Sequence, residues 1–242
     1  MNIHKASDFR ITPRFEFSLP KLINYAGEIP LSTVDWPGVA SHVIFLNGCP
    51  LKCCQCHNAQ IREVTNMVDI DYVMRNIVDN KTFINHVVVS GGEPLAQPTA
   101  CKLIIEACHD RGLKVALETS GCLPLVEGFD RVMLDIKTTL KRSVYDSYVG
   151  LDGAWGHIIL NLGRMDHKTS EIRIVLFPNT DIDIPTLRVL RSFPIRISLG
   201  RTIGPLPRAD LLNFAHQLNM ELTGGEGNMQ VDKGWVLLND PV

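Results

Sequence analysis

Six short apolar runs, rich in β-branched residues, constrain what this chain can fold into more than any other feature. They span 42–47 (HVIFLN), 86–90 (HVVVS), 114–118 (KVALE), 131–135 (RVMLD), 172–177 (IRIVLF) and 195–199 (IRISL). Near-continuous hydrophobicity over five or six residues predicts strands buried on both faces. Between them, 69–78 spaces Val73, Met74, Ile77 and Val78 on one helical face. Residues 97–110 place Leu103, Ile104 and Ala107 inward before the helix stop Arg111-Gly112. Segments 154–165, 184–191 and 209–220 fit further helices. Such alternation predicts βαβ units and a parallel sheet, either doubly wound or rolled into an incomplete barrel. Residues 1 to about 35 read as irregular, and the apolar WVLL after Gly224 reads as a closing edge strand. No repeat or linker interrupts 1–242, so one domain is expected.

Composition narrows the class. At 45% hydrophobic and 21% charged residues the chain can bury a real core, which excludes a disordered protein. With 24 basic and 26 acidic side chains it lacks the cationic excess of a general nucleic-acid binder. No apolar run reaches the length of a membrane span, and MNIHKASDFRITPRFEF lacks the apolar stretch of a secretory signal, so a cytoplasmic protein is expected. Seven cysteines, an odd number, do not suit a disulfide scaffold. In a reducing compartment they read as ligands, nucleophiles or buried thiols.

Four of them crowd into 48–58, GCPLKCCQCHN. Cys49, Cys53 and Cys56 have the spacing C-x3-C-x2-C, which chance would place in a chain this long about 0.006 times. The loop follows the first strand of the series. It therefore lies at a strand's C-terminal end, where active sites of parallel α/β folds gather. Thiolates suit iron–sulfur clusters, and three ligands on a 4Fe–4S cluster leave one iron open to a substrate or cofactor. A structural zinc would need a fourth ligand, and His57 is awkwardly adjacent to Cys56. A redox pair at Cys53 and Cys56 would leave Cys49 unexplained. Cys54 reads as a bystander, and Cys101 and Cys108, on one helix, as core thiols.

Three further clusters end strands. Ser90-Gly91-Gly92-Glu93-Pro94 follows the second; its glycines allow close backbone approach to a ligand, and Glu93 can accept from an ammonium. Glu118-Thr119-Ser120-Gly121 ends the third strand and Asp135-Ile136-Lys137 the fourth. Each alone fits a turn or a solvated strand end. A second Gly-Gly-Glu at 224–226 follows no strand and reads as a turn.

The loop GCPLKCCQCHN resembles the signature of the radical S-adenosylmethionine (SAM) superfamily. The resemblance implies an α/β fold, a partial (β/α)6 barrel, with a 4Fe–4S cluster on Cys49, Cys53 and Cys56 and SAM chelating the open iron. It implies reductive cleavage of SAM to methionine and a 5′-deoxyadenosyl radical. Gly91, Gly92 and Glu93 match the GGE motif that holds the SAM amino group. Gln55 stands where an aromatic residue usually lies near the adenine.

Met133-Leu134-Asp135-Ile136-Lys137, Ser32-Thr33-Val34-Asp35-Trp36-Pro37-Gly38 and Cys56-His57-Asn58 resemble a narrower family, the activases of glycyl radical enzymes and anaerobic ribonucleotide reductase. That likeness implies SAM contacts from His57, Glu118, Ser120, Asp135 and Lys137, with Arg173 near the ribose or carboxylate. A monovalent cation sometimes joins the carboxylates in that family, and Glu118 replaces its usual Asp. It also implies a glycyl radical enzyme as partner, foremost anaerobic ribonucleotide reductase, and a flavodoxin- or ferredoxin-type electron donor, without nucleic acid or membrane. An alternative is a small-molecule radical SAM enzyme, such as a deazapurine ring-forming synthase. Those usually follow the third cysteine with Asp-Thr rather than His-Asn. The resemblance runs from about residue 26 to 200, and Gly200-Arg201 stand where some activases carry a His against the adenine.

Overall fold

The computed structural model describes residues 21–53, 56–176, 182–199, 208–231 and 235–238. The elements run β1 (Leu22–Ser32), β2 (Ser41–Leu46), β3 (Met67–Asp69), α1 (Ile70–Asp79), β4 (His86–Gly91), α2 (Pro98–His109), β5 (Lys114–Thr119) and β6 (Arg131–Ile136). They continue as α3 (Arg142–Val149), α4 (Ala154–Leu162), β7 (Glu171–Leu176), β8 (Ile195–Leu199), α5 (Arg208–Thr223), β9 (Met229–Val231) and β10 (Trp235–Leu238). The sheet order is β3-β1-β2-β4-β5-β6-β7-β8-β10-β9. The six strands from β2 to β8 in this order are all parallel and coincide with the six apolar runs. Antiparallel strands flank them on both sides, and the sheet keeps two edges, β3 and β9. The result is a partial (β/α)6 barrel. Among the described residues no helix is long and apolar enough to cross a membrane.

Three expectations change. The segment read as irregular carries the eleven-residue β1, whose Gly27 and Pro30 hide its strand character. WVLL is a strand, but β9 lies outside it at the edge. Residues 184–190 form a 3-10 helix, Ile184–Leu190, with Pro185 in its first turn.

Alternation along the parallel strands sorts side chains to two faces. Val87, Val89, Val115, Leu117, Val132 and Leu134 pack outward with Val73, Ile77, Ile104, Cys108 and Leu218 from the helices in the main core. Val43, Val88, Ala116 and Met133 point the other way and form a small second core with Trp36. Trp36 belongs to the 32–38 motif, which closes the barrel's N-terminal end and packs edge-on against His86 with ring centroids 4.6 Å apart. Two residues further along β4, β5 and β6 the concave face turns polar: Val88 gives way to Ser90, Ala116 to Glu118, Met133 to Asp135. On this side of the barrel an apolar floor lies beneath a polar upper half.

Candidate active site

At the C-terminal ends of the parallel strands lies a cavity of about 250 Å³. Cys49, Cys53, Cys56, His57, Gly91, Gly92, Glu93, Glu118, Ser120, Asp135 and Lys137 all line it. Four segments separated by up to 88 residues in sequence thus meet at one place. Gln55 and Cys54 lie outside the described residues.

The cysteine loop is held by its backbone. Gly48 N donates to Ile61 O at 2.9 Å, Cys49 N to Arg62 O at 3.0 Å, and Lys52 N to Val149 O at 2.8 Å. Asn58 donates through Nδ2 to Gly91 O at 3.3 Å, which gives the Asn after His57 a role in joining the loop to β4. The three thiols are half-buried and not disulfide-bonded. Burial, with Glu93 and the two other cysteines nearby, pushes the Cys49 thiol up to about 11. Such crowded sulfurs become thiolates together only around a cationic centre. Among the described residues no trio of His, Cys, Asp or Glu side chains is arranged for a single metal ion. A cubane differs, since it takes each thiolate on a separate iron.

Gly91 and Gly92 allow a close backbone approach within the protein. A Cβ on Gly91 would lie 2.2 Å from Leu46 O, and one on Gly92 would lie 2.3 Å from Gly48 O. They let the end of β4 press against the backbone leading into the cysteine loop, where Gly92 N donates to Leu46 O and Glu93 N to Gly48 O, each at 2.9 Å.

Glu93 has partners that sequence did not show. It is almost fully buried. Its Oε1 accepts from Leu95 N at 3.1 Å and from the Thr119 hydroxyl at 2.7 Å. Its Oε2 accepts from Ser120 N at 2.9 Å and from the Ser120 hydroxyl. A carboxylate has about four lone-pair sites, and protein donors take all four. Glu93 thus braces the ends of β4 and β5 while lining the cavity.

Two other carboxylates face the cavity, each beside its own cation. Asp135 bonds Lys137 Nζ at 2.8 Å, and both are half-buried. Burial alone would pull the Lys137 ammonium down; Asp135, with Cys53 and Glu93, more than offsets it, so its affinity for protons rises and it stays charged. Glu118 is ion-paired with Arg173. Burial raises the Glu118 carboxyl, opposed first by Arg173. Arg173 is the expected site residue that does not line the cavity. Its guanidinium also bonds Glu171 at 3.1 Å and Asp35 O at 2.7 Å, behind Glu118. Glu171 in turn takes Arg131 at 3.0 Å and Arg196 at 3.1 Å. Apart from Glu171, two residues from Arg173 on β7, the partners in this network stand 25 or more residues apart, so sequence did not show it. Elsewhere, Cys101, Cys108 and Cys122 are buried thiols pushed up to about 12 by burial, as core positions require.

The Radical SAM superfamily model matches residues 43–189, more than half of the chain. The chain belongs to the radical SAM superfamily. Its cofactors are accordingly a 4Fe–4S cluster and SAM, and it is a radical SAM oxidoreductase. This radical SAM protein is 31% identical over 185 residues to the pyruvate formate-lyase-activating enzyme of Staphylococcus aureus, covering 67% of this chain and 72% of that one. It is 34% identical over 137 residues to a Methanocaldococcus jannaschii protein provisionally named a glycyl-radical enzyme activating enzyme. That match takes in 52% of this chain and 48% of the relative, so it spans about half the relative's length. Among solved structures, TYW1 with a lysine-pyruvate adduct bound superposes with a TM-score of 0.64 at 18% identity, over 83% of this chain and 80% of that one. Streptococcus suis SuiB bound to precursor peptide SuiA gives 0.59 at 17% identity, over 77% and 46%. These likenesses concern the fold alone.

Proposed function

We propose that this protein is an activase that generates a glycyl radical on a partner enzyme, with anaerobic ribonucleotide reductase the leading partner. The observation that carries the reading is the single cavity in which Cys49, Cys53 and Cys56 meet Lys137, Asp135 and Glu118; the names of the two relatives above supply the reaction class. Cys49, Cys53 and Cys56 hold the cluster. Lys137 takes the carboxylate of SAM's methionine end. Glu93 takes its ammonium, with Asp135 and Glu118 lining the same cavity, and Gly91, Gly92, Ser120 and His57 complete the wall. Gln55 keeps its place on the adenine side as a sequence-based assignment. When bound, cluster and SAM together supply a 5′-deoxyadenosyl radical that takes a hydrogen atom from the partner's glycine. The protein's own part is to fix the methionine end by charge and to keep the site dry.

The reading includes one domain over 1–242, a cytoplasmic setting, a flavodoxin- or ferredoxin-type electron donor, and no nucleic-acid or membrane partner. The test mixes reconstituted protein, SAM and reductant with anaerobic ribonucleotide reductase and records the electron paramagnetic resonance spectrum. A glycyl doublet is expected, with about one 5′-deoxyadenosine per radical, because the stored radical is the product. Many turnovers on a small molecule without any protein radical would overturn the reading.

A further inference from the structure

The three cysteines border two cavities. One is the site just described. The second lies on the outer side of the loop, where Cys49, Cys53 and Cys56 are joined by Lys52, Arg62 and Glu63. The inner cavity must hold SAM, so it offers no room for a protein that delivers electrons. The outer cavity reaches the same sulfurs from solvent.

Its cations are set in place by the fold. Lys52 is exposed, its amide is fixed on Val149 O, and its stem packs over Gly150, where an added Cβ would come within 2.9 Å of Lys52 Cβ. Gly150 caps α3 in the left-handed conformation, φ 66°, so Lys52 rises from a helix C-terminus, which favours a cation. Arg62 donates through Nη1 to Leu51 O at 3.4 Å, across the loop from Lys52. Two basic side chains and one acidic, Glu63, thus line the same cavity as the three thiols.

We propose that this outer cavity is the electron-entry face and that Lys52 and Arg62 dock an acidic flavoprotein. A flavin presents a bare ring edge that can enter a concave surface, whereas a cluster wrapped in its own loops cannot. In the step, the reduced flavin loses one electron and the cluster on Cys49, Cys53 and Cys56 gains it, with no bond made or broken in this chain. The proposal rests on the cluster assignment above but not on the identity of the radical-bearing partner. Opposite charges across an interface raise association rates, and salt weakens them.

The test uses reconstituted protein and follows bleaching of cluster absorbance under anaerobic stopped flow, with reduced acidic flavodoxin as the donor. Lys52→Glu, and Lys52→Glu combined with Arg62→Glu, should slow the second-order rate at low salt by about tenfold or more and flatten its salt dependence. Reduction by photoreduced 5-deazaflavin, small and weakly charged, should be unchanged. Equal rates with flavodoxin in wild type and Lys52→Glu would overturn the proposal. So would equal slowing with both reductants, which would place the effect on the cluster. If the charge effect appears only with an acidic ferredoxin while flavodoxin fails to reduce the protein, the flavin assignment falls. Protein that binds no iron would sink the cluster assignment itself. Absence of a glycyl radical on ribonucleotide reductase would leave the rates standing and count only against the activase reading.

Discussion

Glu93 grips Ser120 twice, accepting from its amide at 2.9 Å and from its hydroxyl, so the ends of β4 and β5 are tied by one buried carboxylate. Replacing Glu93 by Gln substitutes an NH2 for an acceptor while backbone donors remain at Leu95 and Ser120. A buried N–H left without its charged acceptor costs about 2 kcal/mol. Urea denaturation of the apoprotein should show a loss of that order in Glu93→Gln. An apoprotein of unchanged stability would show that the brace is not needed.

Lys137 should govern SAM affinity. Its ammonium is charged and already beside Asp135. Removing one partner of a desolvated charged contact costs about 2–5 kcal/mol. Equilibrium binding of SAM to Lys137→Ala should therefore weaken more than tenfold, with iron content preserved. Undiminished binding would remove Lys137 from the ligand contact.

The cysteine assignment predicts iron content directly. Wild type reconstituted without oxygen should bind about four irons. Cys49→Ala, Cys53→Ala and Cys56→Ala should each lose SAM cleavage and most of the cluster absorbance. Cys54→Ala should keep both, and its inactivity would reassign the ligands.

Glu171 sets the acid limit of the fold. Burial raises its carboxyl, but Arg173, Arg196 and Arg131 together outweigh that and hold it below the usual range. A depressed carboxyl contributes stability that is fully present above its unfolded value, near 4.3, and is lost as pH falls through the folded value. Glu171→Gln, which takes the carboxylate from Arg131 and Arg196 and leaves Arg173 with Glu118 alone, should cost on the order of 3 kcal/mol at pH 7. The gap from wild type should narrow below about pH 4. A gap that stays constant with pH would exclude this charge as its source.

Much of this architecture is legible in local pattern. The six parallel strands are near-continuous apolar runs, and the cysteine loop, the Gly-Gly-Glu turn and the 133–137 segment each follow one. Strand order then brings them together without further information. What escaped has a common cause. β1 contains Gly27 and Pro30 and alternates weakly, so only its pairing with β2 and β3 reveals it. Sequence shows Glu93 as a carboxylate but not the four donors on it. It shows Arg173 beside Glu171 on one strand but not Glu118, two strands away. Side-chain partnership over tens of residues is a property of the folded register.

The ties among Leu46, Gly48, Asn58, Gly92, Glu93 and Ser120 also decide what the empty polypeptide is. Each runs between protein atoms, and none passes through iron or SAM. In a zinc finger the metal is the fold, and its loss is unfolding. Here protein–protein hydrogen bonds shape the receptacle. Oxygen that strips the cluster should leave the far-ultraviolet spectrum of the chain nearly unchanged. Damage of that kind is a loss of cargo, and recovery is a refilling rather than a second folding.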